Sequence, residues 1–322
     1  MTGSLRAQCP SRGQPFRGGV VLNLVVQRRC AGRRSNLRQS QSGVAGKRLL
    51  LAVLAFVAGF SASAEVSVTS DVVYGHKDGM ALIYDVFTPA EANGAAVLYM
   101  VSGGWFSRWQ PPERRVAWLG HLLDAGFTVF TIQHGSAPRF KVPDAVADVR
   151  RAVRHVRMHA DRFGIDPARL GVHGGSAGGH LSLMLGLASD PGDGEAEDPV
   201  LRESNRVHAV VAYFPPVDLE GIVGPNERFP ALEFDPADAE SVSPIHFASA
   251  DDPPTLLIHG DQDELVPILH SQRMESALDE AGVANQLIVI EGAAHGFRGE
   301  DGLTAAQATV DFFRQHLAAP GG

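Results

Sequence analysis

Arg169-Leu170-Gly171-Val172-His173-Gly174-Gly175-Ser176-Ala177-Gly178-Gly179-His180 reads as a strand that runs into a glycine-flanked serine and straight on into a helix. The run 169–173 is short and apolar, and residues 177–188 are apolar nearly all round, as a helix buried in the middle of a domain should be. Between them, Gly174-Gly175-Ser176-Ala177-Gly178 matches G-x-S-x-G, with strand and helix on the sides that a nucleophile elbow requires. Such a turn is tight and brings two backbones close together, so its neighbours must be small while the serine projects above the sheet. A glycine-rich turn with a solvated serine is the competing reading, and the flanking elements weigh against it.

Working outward from this turn, strand-like and helix-like runs alternate. Strands are expected at 66–74, 80–87, 95–101, 127–132, 209–214, 255–259 and 286–290, with helices at 143–163, 267–281 and 303–317. This is the pattern of an α/β fold, a mostly parallel central sheet with helices on both faces. In the helix over 143–163, Val146, Val149, Val153 and Val156 recur at helical spacing while Arg150, Arg151, Arg154 and Arg157 fill the other faces. Residues 189–206, acidic and rich in Gly and Pro, read as a solvated loop. Residues 217–243 mix Ile222, Val223, Phe229, Leu232 and Phe234 with prolines and acids, which suits a small lid insertion.

A serine hydroxyl is a poor nucleophile without a base. Of 13 histidines, His295 stands in Gly292-Ala293-Ala294-His295-Gly296-Phe297, a loop of small residues after the last strand. His173, His180 and His259 fall in or beside buried elements and read as hydrogen-bonded packing residues. An acid that orients the base belongs on a loop between the two, and Asp261, Asp263 and Glu264 all compete for that role in 259–267. Asp261 is expected to bond the backbone of its own loop and Glu264 to be solvated, but spacing does not choose among them. Backbone donors for an oxyanion are expected from Ala177, the residue after the serine, and from Gly103 and Gly104 after the third strand. Trp105, Phe106, Trp109 and Phe297 are candidates to line a pocket, although aromatic residues serve as core just as readily.

The amino-terminal segment is set apart by composition. Lys47-Arg48 precede an apolar run, 49–60, that ends in Ala62-Ser63-Ala64, the pattern of a signal peptide cut before Glu65. Residues 1–64 are therefore expected to be leader and signal, leaving 65–322 as one domain that is exported to the periplasm or the exterior. Residues 1–46 show no periodic apolar face, and a start at Val44 from a non-standard codon is an alternative that would leave all but the last three of them untranslated. Arg33-Arg34 only faintly resembles a twin-arginine signal, because the apolar run begins too far downstream. The apolar run is also short for a bilayer span, so no stable membrane insertion is expected.

Residues 1–64 hold ten of the 28 Lys and Arg and none of the 36 acids, which leaves 65–322 strongly acidic. That balance disfavours nucleic acid as a partner, since binding it needs a basic footprint. Both cysteines, Cys9 and Cys30, lie in the same leader, so no disulfide or thiol nucleophile is expected downstream. Neither a metal motif, nor a phosphate loop, nor a dinucleotide fingerprint is present, and no cofactor or metal is expected. Oligomeric state is not legible.

Together, Gly-Gly-Ser176-Ala-Gly-Gly-His, the Gly-Asp-x-Asp263-x-x-Val-Pro loop, the Ala-His295-Gly-Phe turn and Phe163-Gly164-Ile165-Asp166-Pro167 resemble α/β-hydrolase esterases, over roughly 85–317. The hormone-sensitive-lipase-like and the feruloyl and acetyl-xylan esterase-like groups are the nearest in look. The resemblance implies an α/β-hydrolase fold, a triad of Ser176, Asp263 and His295, and hydrolysis of short-chain or carbohydrate-linked esters. Two departures stand out: Val101-Ser102-Gly103-Gly104-Trp105 replaces the usual His-Gly-Gly-Gly-Trp, and Gln133-His134-Gly135-Ser136-Ala137-Pro138 replaces Tyr-Arg-Leu-Ala-Pro. A prolyl-oligopeptidase-like peptidase and a catalytically idle binding protein are the alternatives. The first usually needs a propeller for which this chain is too short.

Overall fold

The computed structural model describes residues 66–319, so the expected leader and signal peptide lie outside the described residues. An antiparallel pair comes first, β1 (Ser67–Lys77) and β2 (Met80–Thr88). Then the alternation begins, with β3 (Ala96–Met100), α1 (Pro112–Leu123), β4 (Thr128–Ile132), α2 (Val142–Met158), a single turn α3 (Ala160–Phe163) and β5 (Leu170–Gly175). It continues through α4 (Ala177–Leu187), β6 (Ala209–Tyr213), β7 (Thr255–Gly260), α5 (Leu269–Ala281), β8 (Asn285–Ile290) and α6 (Glu300–His316). All the strands join one sheet in the order β1-β2-β4-β3-β5-β6-β7-β8. β2 pairs antiparallel with β4, and every pairing from β4–β3 to β7–β8 is parallel. The loops after β3, β5, β7 and β8 therefore leave from one carboxyl edge, where open α/β sheets bind their ligands.

Helices cover both faces, which is why the central strands are continuous apolar runs rather than alternating ones. On one face Leu119 and Leu122 of α1 and Phe312 and Phe313 of α6 pack on Val97, Val129 and Val211. On the other, Val149 and Val153 of α2, Leu181 of α4 and Met274 of α5 pack on Leu98, Val172 and Val210. Helix α1 has no counterpart among the expected elements. Its signal is Leu119, Leu122 and Leu123 at i, i+3 and i+4 behind a proline in the first turn, which is compatible with a helix start.

One expectation is corrected. On the faces of α2 turned from the sheet, Arg154 is buried and holds Asp190 with Nη2 at 2.5 and 2.7 Å from its carboxylate oxygens. Arg150 donates to the Ala188 carbonyl at 2.7 Å and Arg157 to that of Ser204 at 2.9 Å. The segment 189–206 is thus docked on α2 by these bonds, with Asn205 fully buried, rather than being a loop in water. The insertion over 217–243 is built of short 3-10 turns and buries Val217, Leu219, Leu232 and Val242 against the α4 side of the core. It sits over the carboxyl edge, with Phe229 against Gly104.

Candidate active site

Strand β5 ends at Gly175 and α4 begins at Ala177, leaving Ser176 between them at φ 55, ψ −123. A positive φ is sparsely allowed for a residue with a side chain, and the surrounding backbone must enforce it. Here it does so through close approach. A Cβ on Gly174 would lie 2.5 Å from the Gly178 carbonyl carbon and oxygen, and one on Gly178 would lie 2.8 Å from the Met100 carbonyl oxygen of β3. Only glycines let helix and strands pass this closely, so the spacing of the motif is a packing requirement that also presents the hydroxyl.

Ser176, Asp263 and His295 come together at the carboxyl edge from the loops after β5, β7 and β8. His295 Nε2 is 3.0 Å from Ser176 Oγ and its Nδ1 is 2.7 Å from Asp263 Oδ2. A carboxylate only accepts, so Nδ1 carries the proton and Nε2 presents its lone pair to the serine hydroxyl. Asp263 is buried, and its Oδ1 accepts the backbone N–H groups of Leu265 and Val266, each at 2.9 Å. Of the three acids in this loop, only Asp263 reaches His295. Glu264 is exposed as expected. Asp261, however, accepts the Gly292 N–H at 2.7 Å, so it braces the loop that carries His295 rather than its own.

His259 proves to be more than packing. Its Nε2 donates to the Val266 carbonyl at 2.8 Å and lies 3.4 Å from Asp263 Oδ2, while its Nδ1 faces the Ser271 hydroxyl at 2.7 Å. It therefore stands beside the same carboxylate oxygen that faces His295. His173 and His180 bond to the carbonyls of Val211 and Val242, at 3.2 and 2.7 Å. His180 also accepts the Trp105 indole N–H at 3.4 Å, tying α4, the loop after β3 and the 217–243 insertion together. Phe214, for which no sequence motif speaks, packs tilted against the His295 ring with centroids 4.6 Å apart.

The donors expected for an oxyanion separate in the structure. Ala177 is the first residue of α4, where backbone N–H groups have no intrahelical partner. Gly104 is buried at φ 59, facing Phe229. Gly103 does not fit as expected, because its N–H bonds the Phe106 carbonyl at 3.3 Å in a small bridge that closes the turn. Trp105 is also corrected: it is buried in the core at 4% exposure instead of lining a pocket. Phe297 packs on Tyr213 and Phe214 and lines a cavity of about 560 Å³ that includes Gly175, beside the serine. Phe106 lines a different cavity, and Trp109 stands exposed.

The loop after β3 has an anchor in place of the absent His. His134, buried, lies with Nδ1 2.8 Å from the Gly135 carbonyl and Nε2 3.1 Å from Ser102 Oγ. Burial pushes its pKa down to about 4, so the ring is neutral near pH 7. The Gly135 carbonyl accepts the Nδ1–H, which leaves Nε2 to accept from the Ser102 hydroxyl. Behind it, Asp148 accepts the Gly135 N–H at 2.9 Å and pairs with Lys77 at 3.1 Å. Both departures from the usual motifs, at 101–105 and 133–138, thus meet in one hydrogen bond.

No group of three His, Cys, Asp or Glu side chains is placed to hold a metal ion among the described residues, and no helix there is long and apolar enough to cross a membrane. A family model, BD-FAE, matches residues 84–278. Esterase LipQ of Mycobacterium tuberculosis is 30% identical over 235 residues, covering 67% of this chain and 54% of LipQ. This chain spans about half the length of the curated M. tuberculosis relatives it matches. Among solved structures, a truncated carbohydrate esterase from gut microbiota superposes with a TM-score of 0.67 at 29% identity, over 79% of this chain and 97% of that one. Esterase Est2 of Thermogutta terrifontis gives 0.64 at 28% identity, over 80% and 95%. Est2 has also been solved phosphorylated by paraoxon.

Proposed function

This chain belongs to the BD-FAE family of α/β-hydrolase-fold proteins, and from that premise we propose that it is a serine carboxylic-ester hydrolase working through an acyl-enzyme on Ser176. The observation that carries the reading is the unbroken line of hydrogen bonds from Asp263 through His295 to Ser176, at 2.7 and 3.0 Å. Ser176 Oγ attacks the ester carbonyl while His295 Nε2 takes its proton, and Asp263 stabilises the imidazolium that forms. Negative charge on the tetrahedral oxygen falls to the N–H groups of Ala177, at the positive end of α4, and of Gly104. His295 then protonates the leaving alcohol, and water reverses the sequence to release the acid.

Short-chain or carbohydrate-linked esters are the proposed substrates, supported by the aromatic cavity at Phe214 and Phe297 and by the carbohydrate esterase among the structural neighbours. The test is Ser176→Ala assayed on an aryl acetate, alongside labelling by paraoxon. A fall in kcat of about a thousandfold or more, with loss of labelling, is expected. An intact rate would remove Ser176 from the mechanism. Export with cleavage before Glu65 is proposed from the Lys47-Arg48 and Ala62-Ser63-Ala64 pattern alone. Amino-terminal sequencing of the protein recovered outside the cytoplasm tests it, and a terminus upstream of residue 44 on that protein would refute it.

A further inference from the structure

Beside the 102–106 loop lies a second cavity, of about 590 Å³, that the hydrolytic steps do not use. Gly103 and Phe106 line it on the loop side, Tyr99 and Trp118 on the other, and three arginines, Arg108, Arg114 and Arg115, complete it with no carboxylate among the lining residues. None of the three forms an ion pair among the described residues. In a sequence with 36 acids against 28 Lys and Arg, that is an unusual place to leave three cations together.

Arg115 is the informative member. It is 5% exposed, its Nε has no partner, and its Nη2 reaches only the Arg108 carbonyl, at 3.4 Å. A guanidinium stays protonated in proteins, and a buried charge without a counter-ion is unfavourable. Asp85 acts on it from beyond ion-pair contact and is occupied by the Asp71 N–H at 3.0 Å and the Thr131 hydroxyl at 3.4 Å. The Arg115 Nε therefore stays an unsatisfied donor within the fold, and an incoming planar anion would satisfy it with paired N–H donors.

We infer that this cavity is a subsite for the carboxylate of an acidic sugar, so that the substrates are esters borne by uronate-type carbohydrate. The inference rests on the hydrolase reading and names its substrate class. Trp118, 51% exposed and packed edge-on against Tyr99 at 4.3 Å, offers the aromatic surface on which the C–H face of a sugar ring packs. Tyr99 and Trp118 are shared with the cavity that holds Phe214 and Phe297. The two cavities adjoin at Tyr99 and Trp118, one reaching Gly175 next to Ser176 and the other Gly103 of the loop after β3, so the aromatic one is left for the acyl group and the arginine-lined one for the sugar.

The test pairs calorimetry with kinetics on the full chain. Sodium D-glucuronate is expected to bind saturably and methyl glucoside at least tenfold more weakly, and an acetylated methyl glucuronoside to exceed the matching glucoside at least tenfold in kcat/KM. In the Arg108→Ala/Arg114→Ala double variant both preferences should fall roughly tenfold or more, through KM. Arg115→Met should do the same, and if it fails to fold the double variant still decides. Glucuronate that binds no better than the glucoside, or a preference that survives the double variant, overturns the inference. So does a stronger preference for 4-nitrophenyl hemisuccinate over the butyrate, which would put the carboxylate on the acyl side. Selective glucuronate binding without hydrolysis of any ester or labelling of Ser176 would instead sink the hydrolase reading and leave the subsite standing.

Discussion

Asp263 divides its two oxygens between separate tasks, and the division predicts how the neighbouring acids differ. Oδ1 holds the N–H groups of Leu265 and Val266, and Oδ2 faces His295. Asp263→Asn places an NH2 against one of these donors, so either the loop loses an acceptor or the imidazole loses its partner and its tautomer. We expect kcat on an aryl acetate to fall by about 10³ to 10⁴, as in other triads. Asp261→Asn keeps an oxygen for the Gly292 N–H and should stay within about threefold of the parent. Equal losses in the two variants would show that the acid had been wrongly chosen. Ser102 is the other residue whose role is conditional on a tautomer. With His134 neutral and its Nδ1 proton committed to Gly135, Ser102→Ala leaves Nε2 buried without a donor, a cost of about 1–3 kcal/mol. The expected outcome is a lower Tm together with a reduced kcat, because the same loop carries Gly104. A reduced Tm with an unchanged kcat would mean that the anchor serves the fold only.

Among the elements, the β5–Ser176–α4 unit is the least tolerant, because its contacts are backbone on backbone. Gly174→Ala forces a Cβ to within 2.5 Å of Gly178, and neither side chain nor solvent can relieve it. A loss of several kcal/mol, or failure to fold, is expected in chemical denaturation, and a near-parent midpoint would mean that the crossing is looser than described. Gly104→Ala meets a softer obstacle, the Phe229 ring at 2.7 Å, and a left-handed φ. It should fold and lose activity, since the ring or the loop must shift. The same distinction explains what could be read from sequence. Gly174, Ser176 and Gly178 were legible because strand, turn and helix each leave a local pattern there, and eight strands follow from apolar runs. Helix α1 was missed because a proline pair and Arg114-Arg115 mask a narrow stripe of three leucines. Spacing left Asp261, Asp263 and Glu264 open because only the approach of the β8 loop separates them. Gly103 and Trp105 were misplaced for a related reason: a bridge to Phe106 and a bond to His180 are made across the loop and across the core, where sequence order says nothing.

At the scale of the whole molecule, the fold keeps a few of its histidines where water does not reach, and these shape how the protein responds to acid. His134, His173 and His180 are each less than 5% exposed, and burial holds their pKa values down to about 4, 3 and 4. In the unfolded chain the same rings titrate near 6.5. Folded values below unfolded ones mean that the contribution of these groups is complete above about pH 6.5 and is lost as pH falls towards 4, since the unfolded state binds the extra protons. Three protons correspond to a slope of roughly 4 kcal/mol per pH unit within that window. The carboxyls of Asp85 and Asp148, pushed up by burial, work in the opposite sense. Typical domain stabilities are about 5–15 kcal/mol, so two or three pH units suffice to exhaust one. Thermal melts followed by circular dichroism should therefore give a Tm that is flat above about pH 7, declines below 6.5 and collapses before pH 4. His173→Gln, which removes one buried titrating ring from inside the sheet, should flatten the slope by about 1.4 kcal/mol per pH unit while lowering the plateau. A Tm at pH 5 equal to that at pH 7.5 would mean that these rings are hydrated and charged in the native state, and the packed interior described around β5 and α4 would have to be abandoned.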